Sequence, residues 1–316
     1  MNLRLRKSSP RGSIGLDIDG AFLAAAQVSG GAVTRAASME LPAGLMSEGE
    51  VVDSAGLGEA LKSFFERNSL PRAARLGVAN QQIAVRQVQL PVIEDKRERE
   101  AAVRFQAAET IPMPLEEVVL DYDAVGETTT PEGATQMSMI VVAARESMVT
   151  PLVEAVREAG IRPLGIDLNA FALVRLLAAA SVDNGDVVDS THDARVYCHL
   201  AGTTNLAVAA GNSCLFTRAL STTWDSHGDD TASALAEEIR LSIDFYMTQP
   251  ESRPATEIVL SGPGANAPAL SEELTSLLST PVHVADPLGR LVDALPAQED
   301  PYVYSVAAGL AMGESA

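Results

Sequence analysis

Two carboxylates, Asp17 and Asp19, end an apolar run and are followed at once by Gly20, which permits a tight turn. An acid in this position could orient Mg²⁺, and Asp17 is the candidate ligand. Two more glycine turns follow apolar runs: Ala201-Gly202-Thr203-Thr204 after Ala194–His199, and Ser261-Gly262-Pro263-Gly264 after Glu257. In such turns Gly202 and Thr203, or Ser261, Gly262 and Gly264, can face a phosphate with backbone N–H groups and no side chain in the way. Glu237 and Arg240 stand three apart on a helical stretch and so share a face, either as a surface ion pair or as ligand contacts. His199 ends the apolar run just before the second of these turns. A neutral imidazole donates one hydrogen bond but supplies no negative charge, and its plainer role is a satisfied histidine at a strand end.

The elements that must position these groups follow from periodicity. Ser13–Gln27 reads as a strand and turn, a second strand runs through Leu23–Val28, and Gly30-Gly31 turns into a third at Ala32–Ala37. Leu57, Leu61, Phe64 and Phe65 mark one face of a helix over Ser54–Asn68. Arg75–Leu90 forms two strands joined at Asn80-Gln81. The charged stretch EDKREREAAVRFQAAETIP forms an exposed helix stopped by Pro112 and Pro114, with Val103, Ala107 and Thr110 on its inner side. Strands at Val118–Val125 and Met137–Ala144 flank a polar loop, GETTTPEGATQ. A helix over Glu146–Gly160, a strand at Ile161–Ile166 and an apolar helix at Ala170–Ala180 complete the first half.

The polar stretch DNGDVVDSTHD, Asp183–Asp193, is the best boundary. After it the opening pattern recurs: strands at Ala194–His199, Asn205–Ala210 and Cys214–Leu220. A helix at Ala232–Met247, a strand at Glu257–Ser261, a helix at Ala269–Ser279, a strand at Val282–Val284 and a closing helix at Ser305–Met312 follow. Two halves that each begin with a three-strand meander around a cleft predict an α/β, actin-like (RNase H-like) bilobed fold. The expected domains are a first lobe over 13–182 with an α+β insert at about 73–160, a second lobe over 194–304, and a helix over 305–316 returning to the first lobe.

Composition narrows the function. The 316-residue chain has 47% apolar residues, enough for substantial cores. Its net charge of -19 repels nucleic acid and anionic lipid. Residues 1–12 hold the one basic cluster and read as a flexible tail. No apolar run reaches the roughly 18 residues of a membrane helix, and no secretion signal opens the chain, so a cytoplasmic location is expected. Cys198 and Cys214 read as buried thiols, and the scattered histidines do not suggest a zinc site.

Several stretches are more specific. IGLDIDGAFLAAAQV resembles the first phosphate loop of PilM proteins of the type IV pilus. LPVIEDKREREAAVRFQAAETIPMPLEEVVLDYDAVG resembles their most distinctive segment, and VVAARESMVTPLVEAVREAGIRPLGIDLNAFALVRLL the next. ALAEEIRLSIDFY, IVLSGPGANAPALSEEL and VAAGLAM keep the order, so the resemblance runs from about Ser13 to Met312. It implies an actin core with an insert, ATP or ADP with Mg²⁺ between the lobes, and a groove beside the insert. That groove would hold the cytoplasmic tail of a PilN-like inner-membrane protein, with the pilus motor ATPase as a further partner. The chain would then sit at the inner face of the cytoplasmic membrane through its partner. Ile83, Val85 and Val88 are the apolar residues expected to meet an extended peptide by strand addition.

The same resemblance exposes departures. Family loops carry a glycine where Asp19 stands, with serines and a lysine that are absent here, and an acid where His199 stands. Glu237 and Arg240 match a ribose-holding pair of FtsA-like relatives, while Pro263 replaces a glycine under the base. These changes predict a degenerate nucleotide site and a non-catalytic scaffold. An FtsA-like ATP-driven filament is the alternative; it expects a terminal amphipathic membrane helix, which GLAMGESA does not supply. A kinase on this fold would need a catalytic base that is not evident.

Overall fold

The computed structural model describes residues 14–20, 22–129, 133–183, 193–223, 231–249, 252–285, 287 and 300–313. The basic segment 1–12 and nearly all of the polar boundary near 188 lie outside them.

The first lobe opens with β1 (Ile14–Ile18), β2 (Phe22–Ser29) and β3 (Ala32–Glu40), an antiparallel meander. All five residues of β1 are buried, as a strand covered on both faces requires. A small hairpin, β4 (Met46–Ser47) and β5 (Glu50–Val51), precedes α1 (Ser54–Arg67). Asp53 caps α1 by accepting from the Gly56 N–H at 3.0 Å. β6 (Ala73–Val78) then pairs parallel to β1.

A separate unit follows: β7 (Ile83–Pro91), α2 (Lys96–Thr110), β8 (Val118–Thr129) and β9 (Thr135–Arg145), with sheet order β7-β9-β8. The chain returns through α3 (Glu146–Glu158), β10 (Arg162–Leu168) parallel to β6, and α4 (Asn169–Asp183). The third sheet therefore spans Ile83–Arg145, narrower than 73–160, because β6 hydrogen-bonds into the first sheet and α3 packs on α1. Its hairpin also departs from expectation: β8 and β9 continue through most of the polar stretch read as a loop, down to Thr129 and Thr135. Thr110, placed on the inner side of α2, is exposed; Val103 and Ala107 are buried there.

The second lobe repeats the first. β11 (Ala194–His199), β12 (Asn205–Ala210) and β13 (Ser213–Ala219) form the meander. After α5 (Thr231–Met247), β14 (Ala255–Ser261) pairs parallel to β11. α6 (Leu270–Leu278) leads to β15 (Val282–Val284), parallel to β14. The sheet orders are β10-β6-β1-β2-β3 and β13-β12-β11-β14-β15, the same connectivity twice.

Each lobe has its own core, and a third core joins them. In that joining core Ala24 and Ala26 of β2 meet Leu173 and Leu177 of α4, Tyr197 of β11 and Ala207 of β12. The last helix, α7 (Ser305–Met312), lies on β1 and β2 and against α4. Its close approach depends on two glycines. A Cβ on Gly15 would fall 2.0 Å from the Ala307 carbonyl oxygen, and one on Gly309 would fall 2.0 Å from that of Ala172. No helix among the described residues is long and apolar enough to cross a membrane.

Candidate interlobe site

The C-terminal end of β1 delivers Asp17 and Asp19 to the seam between the lobes. Asp17 is buried and its Oδ1 accepts from Asn169 Nδ2 at 3.2 Å. Burial pushes its carboxyl up to about 7, against the lowering effect of the Asn169 bond. Gly20, at φ 87°, turns the chain, and the Asp19 N–H donates to the Phe22 carbonyl at 3.1 Å. Asp19 then reaches across the seam. Its Oδ2 accepts from the Gly202 N–H at 2.5 Å and its Oδ1 from the Thr203 N–H at 2.9 Å. Burial and the neighbouring Asp17 charge push its carboxyl well above the usual range, while the two N–H donors pull it back.

The second-lobe loop is held in place from the other side. Parallel pairing sets His199 opposite Ser261. The Leu200 N–H donates to the Ser261 carbonyl at 2.8 Å, and the Gly264 N–H donates to the Leu200 carbonyl at 3.0 Å. Gly262 sits at φ 86° and ψ 167°, a conformation essentially reserved for glycine. His199 Nδ1 lies 3.1 Å from Ser261 Oγ, and burial lowers the imidazole to about 4, so it is neutral. Its Nε2 and the Thr204 hydroxyl are buried without a hydrogen-bond partner among the described residues.

Asp19, Gly20, Gly202, Thr203, Gly262 and Gly264 thus lie on loops hydrogen-bonded to one another or turning directly into such a loop, with Asp17 and Ser261 at the ends of the strands that lead into them. Glu237 and Arg240 are tied elsewhere. Arg240 Nη1 donates to Glu237 Oε2 at 2.9 Å and its Nη2 to the Leu277 carbonyl of α6 at 2.7 Å, with both side chains about half exposed. That is the geometry of a surface ion pair bracing α5 on α6.

Sequence reasoning missed three groups here. Asn169, the first residue of α4, holds Asp17, and its own Oδ1 is buried without a partner among the described residues. Asp167, two residues earlier, is buried and accepts from Arg175 Nη2 at 2.8 Å, with Arg75 3.9 Å away. Glu238, beside the expected Glu237, accepts from the Ser221 and Thr222 N–H groups at 3.1 and 2.9 Å. Burial would raise its carboxyl, but those bonds leave it below the usual value. A polar residue at a strand-to-helix junction was the available signal for Asp167 and Asn169.

The cavity lined by Asp19, Gly77, Asn169 and Thr203 offers about 10 Å³, the space of one water. Among the described residues no group of three or more His, Cys, Asp or Glu side chains is placed to hold a metal. Both Asp19 oxygens accept N–H groups, so the two donors of the second-lobe loop are turned onto Asp19.

The insert offers a different surface. Val85 and Val88 are buried and Ile83 half-buried, packed into the cores on either side of the third sheet. Their side chains are spent inside, so a peptide added to this strand would meet their backbone and not their side chains. What β7 presents outward is backbone, since it is an edge strand paired to β9.

Two copies of one five-stranded sheet, packed across a crevice edged by glycine turns, define an actin-like protein. The family model described as "Type IV pilus assembly protein PilM" matches residues 15–222 and 231–315, and the chain belongs to that family. A solved structure of a PilM-PilN type IV pilus biogenesis complex aligns with a TM-score of 0.77 and 26% identity, covering 96% of this chain and 98% of that one. The cytoplasmic domain of EpsL, an inner-membrane component of the Vibrio cholerae type II secretion system, shares the fold at a TM-score of 0.50 and 10% identity, over 96% of this chain and 94% of that one.

Proposed function

We propose that the protein is a scaffold of the type IV pilus assembly machine that holds the cytoplasmic N-terminal tail of a PilN-like inner-membrane protein. The carrying observation is the match over 96% of the chain to a structure whose counterpart is in complex with PilN. The place of β7 at one side of the order β7-β9-β8 among the described residues supports a tail bound by strand addition, in which main-chain hydrogen bonds supply affinity. A net charge of -19 steers a basic tail toward this surface. The protein then works in the cytoplasm, peripheral to the membrane through its partner, and in reach of the motor ATPase of the pilus. The crowded seam supports a nucleotide site that has lost its function, so ATP and Mg²⁺ bind weakly or not at all and no hydrolysis supports the role.

Fluorescence anisotropy with labelled N-terminal tails of PilN-like proteins from the same genome tests this reading. Saturable binding on the order of micromolar, absent with scrambled peptides, is expected. Failure with every such tail would overturn it.

A further inference from the structure

The Gly202-Thr203 turn aims two consecutive N–H groups at one point, the arrangement that makes a backbone nest for an anion. That point is already filled, and from the other lobe. Asp19 places one carboxylate oxygen on each N–H, at 2.5 and 2.9 Å. The contact joins residues 183 and 184 positions apart, so it is a clasp between lobes and not a local turn. Asp19 is only 5% exposed, and a carboxylate that uses both oxygens on paired N–H donors imitates two oxygens of a phosphate. The neighbouring Asp17 opposes ionisation of Asp19, and the two N–H donors favour it. The remaining cavity against Asp19, Asn169 and Thr203 takes about one water. A phosphoryl group needs the volume and the donors that Asp19 occupies.

We propose that Asp19 is an internal stand-in for a phosphate: it fills the anion nest of the second lobe, clasps the lobes shut without a ligand, and keeps nucleoside triphosphates out. This deepens the nucleotide part of the proposed function and is independent of the pilus partner, because the test below contains no tail peptide. The clasp also gives the departure from family loops a physical role. An acid at position 19 is not merely a lost glycine, since it supplies the two acceptor oxygens that a bound phosphate would supply.

The test uses the full chain, as wild type and as Asp19→Gly and Asp19→Asn, with folding checked by circular dichroism. Calorimetric titration is run with ATP alone, with ATP and Mg²⁺, and with inorganic phosphate. Hydrogen exchange is read at the Gly202 and Thr203 amides. Wild type is expected to show no saturable binding up to about 1 mM, and Asp19→Gly to bind ATP at least about tenfold more tightly. In Asp19→Gly those two amides exchange at least about tenfold faster than in wild type, and added ATP restores their protection. Asp19→Asn keeps the shape but presents one acceptor oxygen, and its amides exchange at an intermediate rate. Equal ATP affinity in wild type and Asp19→Gly would overturn the proposal, as would equal protection of the two amides in the absence of ligand. If neither variant folds, wild type decides alone. Protection at Gly202 and Thr203 that is present without phosphate and unchanged by ATP supports the clasp; unprotected amides, or protection gained on adding ATP, refute it.

Discussion

Replacing Gly262 with alanine tests the link between the glycine turn and the seam. Two costs arise from one methyl group. At φ 86° and ψ 167° the backbone lies where a side chain adds about 1–3 kcal/mol. The new Cβ would also stand 2.5 Å from the Leu200 oxygen, 2.9 Å from the Leu200 nitrogen and 3.0 Å from His199 Cε1. Two of these neighbours are backbone atoms stitched to Ser261 and Gly264, so they cannot swing aside as a side-chain tip would. Overpacking of this kind costs about 1–3 kcal/mol. One shift of the turn relieves both, so the two costs overlap, and about 3 kcal/mol is expected. At about 1.5 °C per kcal/mol for a 316-residue chain the melting temperature falls by about 4–5 °C. Gly165→Ala is the control, because a Cβ there meets nothing within 4 Å and its φ lies outside the positive region. It should melt within about 1 °C of wild type or slightly above it. Differential scanning calorimetry of both variants gives the comparison. If Gly262→Ala melts together with Gly165→Ala, the turn is not locked as described.

His199→Gln should flatten part of the acid dependence of stability. The folded imidazole titrates near 4 against 6.5 unfolded, so its contribution is intact above 6.5 and is lost as pH falls through 4. Over that window wild type loses roughly 3 kcal/mol relative to the variant. Urea titrations across the pH range measure it, and Asp17, which acts with the opposite sign up to about 7, cancels between the two proteins. Arg175→Ala removes the 2.8 Å partner of buried Asp167 and should cost about 3–5 kcal/mol by urea denaturation. The double replacement Asp167→Ala with Arg175→Ala should cost less than Arg175→Ala alone, because no carboxylate is then stranded. Leu310→Ala, at a fully buried position of α7, should cost about 2–5 kcal/mol and lower the denaturation midpoint of both lobes together.

The repeated architecture was legible because its determinants are local. Buried strands such as Ile14–Ile18 and Ala194–His199 read as apolar runs closed by glycine turns, and α1 shows its inner face at Leu57, Leu61, Phe64 and Phe65. Limits of the insert were not legible, since nothing in the residues of β6 states that its partners are β1 and β10. The outer hairpin was read as a loop because strands with solvent on one face carry threonine and glutamate, as Glu127–Thr129 does. At the seam, residue types announced which turns matter. Helical spacing paired Glu237 with Arg240 but could not say that both brace α6. Asp19 was legible only as an acid in place of a family glycine, because its two donors belong to a loop far along the chain.

The placement of α7 bears on how the molecule is made. Ribosomal synthesis releases β1 long before Ser305–Met312 exists, yet those late residues cover it. Until they emerge, an early strand that ends up fully buried waits with one side bare, a hold-up of the kind that invites chaperones. Lobe one therefore cannot finish before lobe two is nearly complete. Contacts of such long sequence span also slow the final closure, so translation order and assembly order run against each other in this chain.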